Sequence, residues 1–320
     1  MKRPAVHEDG EAVYACIAVV WYAVWETKHS RQEEASLENR CTAERGIARA
    51  WDVPVRAGEG PHLKVGQVLP PGNWKAFDPF LIMAEDWFQQ GTFDFHPHRG
   101  IETVTFVLEG KLKHEDNHGG YGVLEPGDVQ WMTAGRGIIH SEDPLPGETV
   151  HSLQLWVNLP ADRKMTEPAY QDLKAADMPV RREPGALIRV FSGTSGDAAA
   201  PTRNQVPVTS LELTLEAGAS VAQELPGDYN GFIYVLQGRG RFGKDETAGG
   251  PNQVLWLGPA GDAANSRIVI RADEPMRAIL AAGRPIREPV AAYGPFVMNT
   301  MDEIMQAFED YQSGGFGPVR

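Results

Sequence analysis

The stretch HPHRGIETVTFVLEG, residues 96–110, ends in a strand-like run that recurs later in the chain. Its last five residues, Phe106–Gly110 (FVLEG), reappear as Tyr234–Gly238 (YVLQG). A second landmark, VQW in residues 129–131, is similar to VLW in residues 254–256. The distance between the first and second landmark is nearly the same in both halves of the chain. Two similar segments in this arrangement indicate two tandem copies of one β-module.

The texture of the chain agrees with an all-β fold. Short runs of β-forming residues are separated by Gly, Pro and Asp, and the 320 residues include 34 Gly and 24 Pro. We therefore predict an N-terminal extension over residues 1–50, a first module over 51–165, a connecting arm over 166–189 and a second module over 190–320. Apolar residues at helical spacing in Met301–Tyr311 predict a C-terminal helix that covers the modules.

Composition excludes several classes of function. The net charge of −13 argues against direct binding of nucleic acid. The apolar run Ala12–Trp25 has fourteen residues, fewer than the ~20 that span a bilayer, so no membrane anchor is expected. The helix-favouring segment Glu26–Ala50 follows it without an amphipathic period. Cys16 and Cys41 make no disulfide framework, which favours a cytoplasmic protein.

Two short pairs of potential ligands lie about forty residues apart. They are His96 with His98, and His140 with Glu142. Residues i and i+2 of a strand project to the same face, so two such pairs on neighbouring strands aim three imidazoles and one carboxylate at one point. This set suits a transition metal and leaves coordination positions open for water, dioxygen or a substrate. A redox-inert zinc ion remains an alternative.

Other polar residues near these pairs receive structural interpretations. His114 and His118 lie in the polar sequence KLKHEDNHGGYG and are predicted to be solvated turn residues. His151 is predicted to be a core or surface residue. If the strand ran unbroken through Arg99–Gly100, Glu102 and the even-numbered residues after it would share the face of His98. Glu102 would then either support the metal ligands or make a structural hydrogen bond.

The strings HPHRGIETVTFVLEG, HEDNHGGYG, PGDVQWMTAGRGIIHSE and LQLWVNLP resemble the pirin family of the cupin superfamily. The resemblance runs from about residue 78 to 171, and more loosely to the C-terminus. It implies a bicupin, with two tandem antiparallel β-barrels of the double-stranded β-helix type. It also implies Fe²⁺ or another divalent transition metal in the first barrel. The implied ligands are His96, His98, His140 and Glu142.

The second module departs from this pattern. Alignment of the repeated landmarks places Glu224 and Pro226 opposite His96 and His98, and Ser266 and Ile268 opposite His140 and Glu142. At most one of these four is a metal ligand, so the second module is predicted to hold no metal. We expect one iron per chain.

The resemblance implies two different functions. Bacterial members resemble quercetin 2,3-dioxygenases, which open a flavonol ring with O₂; here Glu142 would be both ligand and catalytic base. Eukaryotic members look like transcriptional co-regulators, which implies the alternative of a redox-sensing protein that binds a protein partner without turnover. We expect the enzyme, acting as a monomer.

Overall fold

The computed structural model describes residues 42–59 and 62–319, and these residues form β-strands with two helices. In chain order the first elements are β1 (Thr42–Glu44), β2 (Ile47–Asp52), β3 (Val55–Ala57), β4 (Lys64–Leu69), α1 (Trp74–Phe77), β5 (Phe80–Phe88), β6 (His96–His98), β7 (Ile101–Glu109), β8 (Leu112–Asp116), β9 (Tyr121–Leu124), β10 (Val129–Thr133), β11 (Ile138–Pro144), β12 (Val150–Asn158) and β13 (Ala169–Leu173).

The remaining elements are β14 (Val180–Glu183), β15 (Ala186–Ser192), β16 (Thr194–Ser195), β17 (Ala198–Ala199), β18 (Val208–Leu215), β19 (Ser220–Pro226), β20 (Asn230–Gln237), β21 (Gly240–Phe242), β22 (Thr247–Gly249), β23 (Gln253–Leu257), β24 (Asn265–Ala272), β25 (Met276–Gly283), β26 (Ala291–Tyr293), β27 (Phe296–Met298) and α2 (Met301–Gln312).

The strands form two similar modules, as the internal repeat predicts. Each has a seven-stranded sheet, in the order β13-β10-β7-β12-β5-β4-β3 in the first and β14-β15-β18-β25-β20-β23-β2 in the second. The smaller sheets are β6-β11-β8-β9 and β1-β24-β21-β22 with β19 on β24. The repeated landmarks occupy equivalent strands, since β10 pairs with β7 and β23 pairs with β20.

The two modules differ in what lies between their sheets. In the second module an apolar core fills this space, with side chains such as Leu213 and Ile233 from the large sheet and Ile268 from the small one. In the first module the space between the sheets contains a cavity, described below. Another apolar core joins the modules, where the rings of Phe80 and Phe232 meet edge to face at 5.5 Å.

The predicted N-terminal extension is wrong at its C-terminal end. Instead of continuing the helix-favouring segment, residues 42–44 and 47–50 belong to strands of the second module, because β1 pairs with β24 and β2 pairs with β23. Trp51, the predicted start of the first module, also lies in β2. The run Ala12–Trp25 and both cysteines lie outside the described residues. In the described part of the chain, no helix is long and apolar enough to cross a membrane.

The predicted connecting arm, residues 166–189, contains strands of both modules. Strand β13 pairs with β10 in the first module, whereas β14 pairs with β15 in the second. Pro and charge in this segment reflect its exposed edges, since both strands lie at the end of their sheet.

The C-terminal helix is confirmed, but it packs on the first module. A capping box of Thr300 and Glu303 starts α2, which satisfies free backbone N–H groups of the first turn. Its buried residues are Ile304 and Ala307, which share an apolar cluster with Ile139 of the first module, while Met305 is 57% exposed. We call residues 290–317 the C-terminal strap.

A guanidinium occupies the part of the second module that corresponds to the predicted metal ligands of the first. Arg45, 1% exposed, donates hydrogen bonds to Ser266 Oγ at 2.9 Å and to the carbonyl oxygens of Tyr229, Pro226 and Gly227 at 2.7, 3.1 and 2.9 Å. Ser266 and Pro226 align with His140 and His98. Among the described residues, both clusters able to hold a metal lie in the first module.

Candidate metal centre

Two neighbouring strands bring the predicted ligands together. Strand β6 pairs antiparallel with β11, with His96 opposite His140. The ring centroid of His140 lies 4.4 Å from that of His96 and 5.1 Å from that of His98. A donor atom from each of these three histidines lies within 4.8 Å of the others. The donor atoms of three imidazoles therefore lie close enough together to bind one metal ion.

The hydrogen bonds of the histidine rings leave nitrogen atoms free to bind a metal. His96 Nδ1 lies 2.7 Å from the carbonyl oxygen of Asp94, and His98 Nδ1 lies 3.2 Å from that of Pro295. Since a carbonyl only accepts, each Nδ1 carries hydrogen and each Nε2 of the neutral rings has a free lone pair. Among the described residues, His98 Nε2 and both His140 nitrogens find no hydrogen-bond partner, although they are buried. Such atoms are costly unless something binds them.

Burial also keeps the rings of His98 and His140 neutral. Burial, and after it the nearby His96, lowers the pKa of His98 to about 3. The pKa of His140 falls well below 6.5 for the same reasons, burial first and then the neighbouring histidines. Neutral imidazoles are the form that binds metals. The residues present therefore suit a divalent transition metal.

Glu142 is held in the site by two side chains that lie far from it in the sequence. Its Oε1 accepts from Thr105 Oγ1 at 2.8 Å, and its Oε2 accepts from Gln154 Nε2 at 2.5 Å. Gln154 is oriented in turn by Trp156 Nε1, which donates to its Oε1 at 3.1 Å. A carboxylate has about four lone-pair sites, so Glu142 retains sites for a metal and a proton.

A cavity of about 400 Å³ opens in front of these residues. Its walls include Ile82, Phe88 and Trp156, beside the polar Thr105 and Gln154. Asp86 also lines it, and burial, followed by the charges of Glu142 and Glu85, raises its pKa to about 7. A larger groove of about 860 Å³ runs elsewhere, past Trp74 and Tyr229, and holds neither of the described metal-type clusters.

The C-terminal strap completes the site from the far end of the sequence. Gly294 and Pro295 line the cavity, and the Pro295 carbonyl orients His98. Arg99, next to His98, forms a 2.7 Å ion pair with Asp310 of α2. Sequence spacing gave no sign of these contacts, because one is made by a backbone carbonyl and the other spans 211 residues.

The strand that follows the His pair does not continue its face. Gly100 has φ +80°, and a Cβ there would lie 1.9 Å from the Val297 carbonyl oxygen, so the chain turns where only glycine fits. After this turn Thr105 faces the cavity, while Val104 and Phe106 enter the core between the modules. The expectation that the even-numbered residues share the face of His98 is therefore wrong.

Glu102 makes a structural hydrogen bond instead of supporting the ligands. Its Oε1 accepts from Thr133 Oγ1 at 2.8 Å and from the backbone N–H of Gln205 at 3.2 Å, at the boundary with the second module. Burial raises its pKa to about 7.

The other histidines have mixed outcomes. His118 is exposed in a turn, as predicted. His151 is partly buried, where it contacts Glu85 at 2.8 Å and stacks on Trp87. The prediction for His114 is wrong, since it is fully buried in β8, opposite Glu142. A donor atom of His114 lies within 4.8 Å of those of His140 and Glu142.

Comparison with known proteins agrees with this architecture. The Pirin family model matches residues 66–157, and the model of the pirin C-terminal cupin domain matches residues 210–317. A pirin-like protein of Solanum lycopersicum is 43% identical over 75% of this chain and 82% of its own length.

Two solved structures are similar over most of the chain. GK1651 from Geobacillus kaustophilus is 53% identical, with a TM-score of 0.76 over 78% of this chain and all of its own. A quercetin 2,3-dioxygenase from Acinetobacter baumannii is 31% identical, with a TM-score of 0.76 over 87% of this chain and all of its own. With its two cupin modules and these relatives, the chain belongs to the pirin family.

Proposed function

We propose that this protein is an iron-dependent dioxygenase of the quercetin 2,3-dioxygenase type, which opens flavonol-like substrates with O₂. The observation that carries the proposal is the set of buried, unpartnered imidazole nitrogens at one end of an apolar cavity. In this proposal His96, His98, His140 and Glu142 hold one Fe²⁺, and the two sheets of each module close into a cupin barrel. The similarity to the Acinetobacter dioxygenase supports the same activity.

The cavity suits an aromatic substrate of modest size. Its volume of about 400 Å³ falls within the usual range for small-molecule sites, roughly 300–1,000 Å³. Apolar side chains such as Ile82 and Phe88 can pack against the rings, which excludes water from the reacting atoms. When bound, iron would supply the binding of dioxygen and polarise the substrate's oxygen atoms.

Glu142 is the proposed base. A flavonol must lose its 3-hydroxyl proton before the ring reacts with dioxygen, and a base must lie within about 3 Å of that proton. Thr105 and Gln154 fix the Glu142 carboxylate at the cavity wall, and its remaining lone pairs can accept this proton. Asp86 is the other carboxyl group that we find lining the cavity, so it is the natural comparison.

The test is oxygen consumption with quercetin at matched iron content. Glu142→Gln preserves the shape of the side chain but removes most of its basicity, so turnover should fall by about 10²-fold or more. Asp86→Asn is the matched control, because it alters a cavity carboxyl group that the proposal does not use as the base. Its turnover should stay within a few-fold of the parent.

Two results would contradict the proposal. Equal turnover of Glu142→Gln and the parent would exclude Glu142 as the base. A fully iron-loaded parent that consumes no oxygen with any flavonol would overturn the enzymatic function and favour a redox-sensing partner of another protein.

A further inference from the structure

His114 lies behind the metal centre in an environment built for a defined orientation. It is 0% exposed, and its ring stacks on Tyr170 with centroids 4.5 Å apart and planes inclined by 16°. The ring of His140 is also close, with its centroid 5.3 Å away and its plane inclined by 47°. A histidine held this way has little freedom to turn its two nitrogens.

One nitrogen of His114 has a clear partner. His114 Nε2 lies 3.2 Å from Oδ2 of Asp116. The other oxygen of Asp116 accepts from the backbone N–H groups of His118 and Gly120, at 2.8 and 2.9 Å. A carboxylate oxygen accepts hydrogen bonds, so Asp116 is the acceptor in this contact and His114 Nε2–H donates to it.

The other nitrogen of His114 has no hydrogen-bond partner in residues 42–59 and 62–319. With hydrogen on Nε2, a neutral His114 carries a lone pair on Nδ1, and this atom is buried without a hydrogen bond. Both nitrogens of His140 are buried and unpartnered as well. When one of them binds a metal through its lone pair, the other must carry hydrogen and needs an acceptor. His114 Nδ1 is a free acceptor on the adjacent strand.

We propose that His114 is a positioning residue that accepts a hydrogen bond from the metal-bound His140, in a chain from Asp116 through His114 and His140 to the metal. The inference rests on the metal centre of the proposed function and extends it. Outer partners of this kind fix the tautomer and direction of a ligand ring, and their loss weakens metal binding by about 10–100-fold.

The experiment measures the Co²⁺ affinity of the purified full-length protein by competition with a chromogenic chelator, together with the Co²⁺ absorption spectrum. His114→Phe keeps the stacking on Tyr170 but removes both nitrogens, and should weaken Co²⁺ binding by about 10–100-fold with unchanged stoichiometry. His114→Asn restores an acceptor near the position of Nδ1 and should recover most of the affinity. His118→Ala, in the same loop but exposed, should match the parent.

The outcomes separate this inference from the proposed function. Parent-like affinity of His114→Phe would overturn the positioning role alone. Complete loss of Co²⁺ in both His114 variants, with circular dichroism like that of the parent, would make His114 a direct ligand and also overturn it. A parent that binds no Co²⁺ would instead overturn the metal centre itself.

Discussion

Replacing Arg45 should destabilise the second module more than replacing any exposed residue does. Arg45→Ala removes four hydrogen bonds from a guanidinium that is 1% exposed, and three of their acceptors are backbone carbonyls. The Pro226 carbonyl keeps a hydrogen bond from the backbone N–H of Tyr229, whereas the carbonyls of Tyr229 and Gly227 lose the guanidinium as donor. Each buried carbonyl left unsatisfied costs about 1–3 kcal/mol, and water that enters the vacated space recovers part of this. We expect the free energy of unfolding to fall by about 3–5 kcal/mol.

Urea unfolding followed by circular dichroism gives this free energy directly. Arg56→Ala is the matched control, because Arg56 is exposed in β3, and it should change the value by no more than about 0.5 kcal/mol. Deletion of residues 1–50 removes Arg45 together with β1 and most of β2, so it should destabilise at least as much. A loss below about 1 kcal/mol in Arg45→Ala would refute the view that this side chain holds the module together.

Two further predictions concern buried charges. In the folded protein the pKa of Glu102 is raised to about 7, whereas in the unfolded chain this carboxyl group releases its proton near pH 4.5. The contribution of Glu102 to the free energy of unfolding is therefore fully present below pH 4.5 and is lost as the pH rises through about 7. Glu102→Gln should therefore reduce the difference in melting temperature between pH 5 and pH 8 by several degrees, and an unchanged difference would contradict the shift. Asp310→Ala should lower the free energy of unfolding by about 1–2 kcal/mol, because it leaves the buried Arg99 without its ion pair, and should speed metal loss to a chelator several-fold. Parent-like metal loss would show that the C-terminal strap does not support His98.

The convergence of the two residue pairs could be predicted from the sequence because the geometry within each pair is local. His96 and His98 are two residues apart on one strand, and so are His140 and Glu142, so strand periodicity alone gives each pair a common face. Proximity of the two pairs then needs only the pairing of neighbouring strands. The tandem repeat is predictable for a similar reason, since equivalent strands carry similar letters.

Other features depend on distant partners and leave no local pattern. His98 is oriented by the backbone carbonyl of Pro295, and every residue type carries such a carbonyl. The pairing of the N-terminal strand β2 with the second module depends on which sheet edge the strand reaches in the folded chain. The face of β7 was mispredicted because one glycine turn shifts the alternation. His114 was mispredicted because its polar neighbours suggest a solvated turn, whereas its strand is covered by Tyr170.

The most direct test of the account is the metal content of the purified protein, measured by elemental analysis after weakly bound ions are removed. Within the described part of the chain, only the first module combines three histidines and a carboxylate, while Arg45 fills the matching place in the second. We therefore predict one transition metal per chain in the parent and none in His96→Ala or His140→Ala with parent-like circular dichroism. Two metals per chain, or full retention of metal in His140→Ala, would contradict the account.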